Sequence, residues 1–399
     1  MANQTMLSAQ KILKEYYVEG VPLDLAYRDR PLMALIPKDE SVEGKVLPVP
    51  VTYENPQGTS STFSAAQSNE TPNQFGSFYL TMQPKYSLAQ IDAQLLKATK
   101  TSRGSFVREA QYEIDKSYKA HSNQIHTELF GDGTGIMSSV ASINGQVITL
   151  ANAFDINRFG VGMTLQFCAT ATAGTPSNTV VVTAMNRTAN QMTVSGSLTG
   201  VSPNWFVFRI GDYGLTLTGL KGWLPIVAPT SSDSFFTQNR SIDVERLAGN
   251  RLQAIGANVQ EALIELCALI GIQGGNPDHI IMHPKKVAEL QKALGQQVRY
   301  ESVEIENGEI PISIKGFMLP HEYGEAMVIA DRKCDLNLAY ALQMDTWKLY
   351  SMDKIGHLVD DDGLGVLRTP NSDAIEARIR SYLQLGCKAP GYNGVVQLG

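Results

Sequence analysis

The sequence has few of the features that mark a catalyst or a secreted protein. Its four cysteines, Cys168, Cys267, Cys334 and Cys387, are scattered, with no CxxC and no finger-like spacing. That pattern excludes a disulfide framework and a zinc ribbon, and reads as small core residues of a reducing compartment. No apolar run reaches the ~18 residues that span a bilayer, so no membrane helix is expected. The opening Met1-Ala2-Asn3-Gln4-Thr5 lacks the basic stretch and apolar run of a secretory signal. A soluble chain made and kept in the cytoplasm is the expectation. Basic excess is missing too: the formal net charge is −6, where a dedicated nucleic-acid binder carries a surplus of lysine and arginine. From Val46 to Pro84 there is neither lysine nor arginine. The 399 residues, 43% of them apolar, fit a globular protein of more than one domain.

The strongest positive signal is a long amphipathic helix over residues 101–129. Phe106, Ala110, Ile114, Tyr118, His121, Ile125 and Leu129 recur at helical spacing, and no proline interrupts them. It runs into Leu129-Phe130-Gly131-Asp132-Gly133-Thr134-Gly135, where three glycines supply the left-handed conformations of a sharp exit. Ahead of it come a short amphipathic helix at 7–19 and a proline-punctuated arm carrying the apolar patch Leu32-Met33-Ala34-Leu35-Ile36. Such an arm has nothing of its own to bury that patch, so it must lie against something else. Strands at 45–53 and 78–82 flank a polar stretch, 54–77, as an extended hairpin loop. Pro48 and Pro50 remove ladder donors and favour an edge or a projecting ribbon.

After the helix, residues 140–212 carry five short strand-like runs separated by Gly, Asn, Pro and Thr turns, which predicts a small β-barrel or sandwich. Beyond it the pattern returns to α/β. Helices are predicted at 242–254, capped by Ser241, and at 259–271; a buried strand Ile280-Ile281-Met282 leads into a helix opened by Pro284. Strands are predicted at 310–318, 326–330, 336–343, 346–350 and 374–386.

Candidate chemistry is thin. His279 and His283, with Asp278, have a spacing that could ligate zinc on a helix, but a strand runs between them and no HExxH glutamate is present. A hydrolase using His283 with Asp278 is the remote enzyme reading. His121 and His126 lie five apart on the long helix and read as packed or solvated residues. Asp360-Asp361-Asp362-Gly363 lacks the alternating ligands of a calcium loop and reads as an acidic surface turn. The glycine turn follows a helix instead of preceding one, so it is no phosphate loop, and there is no GxSxG elbow. Basic residues are dispersed, with no compact phosphate-binding stripe. No catalytic site, metal site or cofactor is expected.

The order of these parts resembles the major capsid proteins of tailed bacteriophages, the Hong Kong 97-type fold. The resemblance rests on Tyr27-x-x-Arg30-Pro31-Leu32-Met33-Ala34-Leu35-Ile36-Pro37, the glycine exit turn, Gly219-Leu220-Lys221-Gly222-Trp223-Leu224, Asp278-His279-Ile280-Ile281-Met282-His283-Pro284, and Glu376-Ala377-Arg378-Ile379-Arg380 through Pro390. It implies an α+β capsid fold with an N-terminal arm (1–45), an extended E-loop (46–90), a P-domain with its spine helix (91–139 and 366–399), an all-β insertion (140–212) and an A-domain (213–365). It implies a shell of hexamers and pentamers around double-stranded DNA, assembled in the host cytoplasm and residing in the virion. A separate scaffolding protein, a portal protein, a decoration protein and non-specific contact with packaged DNA belong to the same expectation. Inter-subunit contacts are expected at Leu32, Leu35, Ile36, Tyr53, Phe63, Phe75 and Phe78, and the exit turn at Gly131, Asp132, Gly133 and Gly135. Some members of that family lock their shells by an isopeptide bond from an E-loop lysine, which residues 46–84 do not supply. An encapsulin-like compartment shell would share the fold.

Overall fold

The computed structural model describes residues 30–56, 58–92, 103–152, 154–295, 300–306, 311–359, 367–368 and 374–399. The expected helix at 7–19, Tyr27 and the acidic turn 360–363 lie outside these residues. The long helix spans Arg103–Glu128, 26 residues or about 39 Å. Ile114, Tyr118, His121, Ile125 and Leu129 are buried, so the apolar stripe read from the sequence is the packed face.

Beside the helix runs the fourteen-residue strand Ala374–Cys387. One edge pairs antiparallel with Gln83–Asp92, and the other takes Trp347–Ser351, His357–Leu358 and Leu367–Arg368 in turn. Val46–Glu54 and Gln74–Thr81 form a separate two-stranded hairpin. The pairings cut across the expected boundaries. Residues 83–90 belong to the long sheet and not to the hairpin, and 347–351 pairs with the strand Ala374–Cys387.

A seven-stranded sheet forms the other half of the body, in the order Asn250–Ala254, Gly394–Leu398, Leu338–Leu342, His279–Met282, Gly324–Ala330, Pro311–His321, Tyr300–Glu306. Its central strands are apolar on both faces, as doubly covered strands must be. Ile280 and Met282 face the helices Val259–Ile272 and Pro284–Leu294, alongside Leu263, Leu266 and Ile270. Ile281, Ile329 and Tyr340 face the central core with Leu129, Phe130 and Trp223. Two expectations fail here. Residues 250–254 are a strand, because Gly249 at φ +75° ends the preceding helix at Ala248 and frees the chain to pair with 394–398. The cap of that helix is Asp243, whose carboxylate accepts the Arg246 N–H, while the Ser241 hydroxyl donates to Asn239 instead.

Residues 136–209 close into a barrel of six strands: Phe206–Arg209, Ile136–Asn144, Val147–Leu150, Gln191–Ser195, Ser177–Asn186 and Thr164–Cys168. Val140, Ile148, Leu165, Phe167, Val180, Val182, Met192, Val194 and Val207 fill it. The sequence reading has five of these strands and starts too late. Ile136–Asn144 escapes it because a polar residue, Ser138, points inward to bond Asp155, which hides the alternation.

Candidate assembly surfaces

The hairpin divides into a buried root and an exposed tip. At the root Val49, Val51, Phe78 and Leu80 are buried against the body. The Phe78 ring lies edge-on to Trp223 at 4.9 Å, in a cluster with Phe235, Phe236 and Trp347. The Trp223 indole N–H donates to the Leu385 carbonyl at 3.1 Å, which fixes the ring on which the hairpin rests. No described residue from Asn55 to Phe75 is buried, and the tip carries its own helix, Phe63–Ser68. That helix lies within the polar stretch 54–77 expected to be an extended hairpin loop. Phe63 and Phe75 are 83% and 72% exposed, far more than large aromatic side chains usually are in a finished interior.

The expected inter-subunit residues therefore separate into two groups. Leu32, Ile36 and Phe78 are buried in the chain's own core, and Leu35 and Tyr53 pack partly against it. The arm's apolar patch is covered by the body that follows it in sequence, which corrects the inter-subunit role given to Leu32, Ile36 and Phe78. Phe63 and Phe75 alone stand free.

The exit of the long helix is a second built surface. Helix C-termini leave carbonyls without partners, and here the returning segment supplies donors. Leu220 N–H donates to the Leu129 carbonyl at 2.7 Å and Gly219 N–H to Gly131 at 3.1 Å. A Cβ on Gly219 would collide with the Leu129 carbonyl, so glycine is required by this close approach. Gly133 and Gly135 adopt φ +88° and +84°, as the exit reading demands. Gly131 does not; it turns with an ordinary negative φ. Asp132 accepts the Thr134 N–H at 3.0 Å and tightens the turn.

Behind the turn, three sequence-distant charges meet. The Lys85 ammonium lies 2.8 Å from Glu128 and 2.9 Å from Asp212, all largely buried. Gln124 donates to both carboxylates and accepts from Arg209, and Glu128 also takes the Leu217 N–H. One cation thus serves two acids. Burial raises the Glu128 carboxyl, while the two acids hold the Lys85 amine above its ordinary value although burial works against it. The sequence reading missed this junction. The available signal was Glu128 itself, since an acid in a helix's last turn opposes the dipole and calls for a cation.

The histidines on the helix are both packed. His121 bridges Ser87 and Ser381 at 3.0 and 2.8 Å, and burial together with Lys85 depresses it to about 4. His126 lies 2.9 Å from Asp331. The remote enzyme pair is not assembled: His283 Nδ1 accepts the Lys285 N–H at the start of its helix, and Asp278 accepts the Met344 N–H. A cleft of about 260 Å³ lies at the barrel's root, where Arg158 bonds Asp335 and Lys221 reaches the same carboxylate at 3.3 Å. The four cysteines are buried and unbridged; burial pushes the Cys267 and Cys387 thiols up to about 12. No described helix is long and apolar enough to cross a membrane.

No family model matches the sequence, and no curated relative does either. Solved structures do. A chain of the cyanophage A-1(L) capsid asymmetric unit aligns over 92% of both chains at 12% identity, with a TM-score of 0.51. This chain has the phage capsid fold. The satellite phage P4 procapsid including size determination (Sid) protein aligns over 100% of this chain and 99% of its own at 10% identity, TM-score 0.44. The holo-SrpI encapsulin complex from Synechococcus elongatus aligns over 97% and 94% at 9% identity, TM-score 0.44. The resemblance of the sequence to Hong Kong 97-type capsid proteins holds at the level of this capsid fold. The mixed α+β make-up agrees with it.

Proposed function

We propose that the chain is the major capsid protein of a tailed bacteriophage, assembling into the shell that encloses its double-stranded DNA. The observation that carries the reading is the hairpin tip, which holds Phe63 and Phe75 in water on a subunit of the capsid fold. A lone subunit gains nothing from that exposure, whereas a neighbouring copy would bury it. In this reading the hairpin 46–81 is the E-loop. The long helix with strands 83–92 and 374–387 forms the P-domain, the seven-stranded sheet the A-domain, and the barrel an insertion. A separate scaffolding protein, a portal and contact with packaged DNA belong to the same proposal. Electron microscopy of the protein expressed alone and with its neighbouring genes tests it. Closed shells, or regular hexamers and pentamers, are expected. A compact monomer at high concentration with scaffold present would overturn the reading, and particles holding a protein cargo in place of DNA would move the chain to the compartment shells.

A further inference from the structure

The barrel is almost without charge. Between Ile136 and Arg209 only Asp155, Arg158, Arg187 and Arg209 are charged, while charged residues make up 18% of the whole chain. Three of the four are turned away from the barrel's outer wall, and the fourth, Arg187, is exposed in the turn beyond Ser177–Asn186 and not on the strands themselves. Asp155 bonds Ser138 and Asn152 inside the root, Arg158 reaches Asp335 of the body, and Arg209 reaches Gln124 of the long helix. Arg187 turns back onto the Ile156 carbonyl and Asn157. The strands Thr164–Cys168, Ser177–Asn186 and Gln191–Ser195 contain no charged residue at all. They lie side by side, with Val181 opposite Thr164 on one neighbour and Ser195 on the other. Thr179, Val181, Thr183 and Ser195 are exposed, and Val161, 66% exposed, lies beside them where the Gly162 N–H bonds the Val182 carbonyl.

Surfaces that stay in water are normally about a quarter to a third charged, and loss of charge marks the centre of an interface. The occupant follows from the kind of charge pattern missing. A contact with a different protein gains steering and selectivity from complementary charge. A symmetric contact brings one patch against itself, so any charge near its axis meets its like. Uncharged threonine and serine side chains have no such conflict, and the Thr183 and Ser195 hydroxyls already donate to the Thr193 and Val181 carbonyls, so neither needs a partner's acceptor. Resting on the shell reading above, we infer that this barrel face docks on the same face of a neighbouring copy of the chain, across a two-fold contact centred near Val181.

The test uses the full chain carrying Val181→Lys or Val181→Glu, with Thr183→Lys and Thr183→Glu as a second pair. Thermal melting reports the fold, and sedimentation with electron microscopy reports assembly. Each variant alone is expected to melt like wild type, as exposed substitutions do, and to lose assembled particles at least tenfold. An equimolar mixture of the Lys and Glu variants is expected to restore them, since unlike charges then meet across the contact. Single variants that assemble like wild type overturn the inference while leaving the shell reading intact. Single variants that fail and are not rescued by mixing assign the face to a different protein, and also overturn it. A wild-type chain that forms no shell overturns the shell reading and this contact together.

Discussion

Lys85 and Glu128 form a 2.8 Å ion pair that ties the strand leaving the hairpin to the last turn of the long helix. Asp212, on the segment returning from the barrel, completes the junction at 2.9 Å. Three parts of the capsid fold are therefore fixed to one another at a single ammonium group. Replacing Lys85 by alanine leaves two acids buried without a cation, and a buried charge stripped of its partner costs about 3–5 kcal/mol. Urea unfolding of Lys85→Ala is expected to show a loss of that order. The double variant Lys85→Met with Glu128→Gln is expected to recover part of it, because it removes the cation together with the more deeply buried of its two acids and leaves only Asp212 charged. Equal losses in the single and double variants would show that packing, and not charge, holds the junction.

His121 makes stability depend on pH. Burial and Lys85 hold its folded value at about 4 against 6.5 for the free side chain. The unfolded chain then binds more protons than the folded one between those values, so the contribution is complete above pH 6.5 and lost as pH falls toward 4. The size is on the order of 3 kcal/mol. Stability measured by urea unfolding across this window is expected to fall more steeply in wild type than in His121→Gln. Parallel curves would place the acid sensitivity elsewhere.

The exit turn separates glycines that are needed from one that is not. Gly135 sits at φ +84°, and a Cβ there would collide with the Asp212 carbonyl. Gly135→Ala is expected to cost about 2 kcal/mol or more. At Gly131 a Cβ would stand 3.1 Å from the Glu128 carbonyl with an ordinary φ, a contact relieved by a small shift. Gly131→Ala is expected to stay within about 1 kcal/mol of wild type. Thermal melts of the two variants decide the point, and equal melting temperatures would contradict it.

Phe63 and Phe75 test the hairpin tip. Both are exposed in the subunit, so Phe63→Ser and Phe75→Ser are expected to change unfolding free energy by less than about 0.5 kcal/mol. The double variant is nonetheless expected to form few or no shells by electron microscopy. Normal shells from it would remove the tip from the assembly contacts.

The parts legible in the sequence are those whose pattern repeats over many residues. The long helix, the strand-then-proline step at 279–284 and the strand at 374–387 each carry enough periods to be read directly. Short elements carry too few. Gly394–Leu398 was invisible for that reason, and 250–254 read as helix because its meaning depends on pairing with that same hidden strand. The patch at Leu32–Ile36 shows a different limit. An apolar run says that it must be covered, but not whether its own body or a neighbour covers it. It is the chain's own core here, so deleting residues 1–40 would damage the fold as well as any assembly. At the junction, Glu128 in the last turn of the helix signals the need for a cation, but that Lys85 and Asp212 meet it there lay beyond reach because only the tertiary fold brings those positions together.

An isopeptide bond of the kind some capsids use needs a free amine on the projecting part of the hairpin, and none occurs from Val46 to Pro84. Lys85 borders that stretch, but it is 7% exposed and its amine is held by Glu128 and Asp212, so it has neither the access nor the neutral form that attack on a carbonyl requires. Lys45 is exposed at the other end of the hairpin, where its own carbonyl accepts the Met82 N–H and holds the backbone against the body. A non-covalent shell is therefore expected, held by packing of the tip and the barrel. Mature particles boiled in denaturing detergent should run as a single monomer band. A ladder of covalent oligomers that survives reductant would refute this. The arrangement around Lys85 would then leave Lys45 as the first residue to replace, with loss of the ladder in Lys45→Arg identifying it as the linking amine.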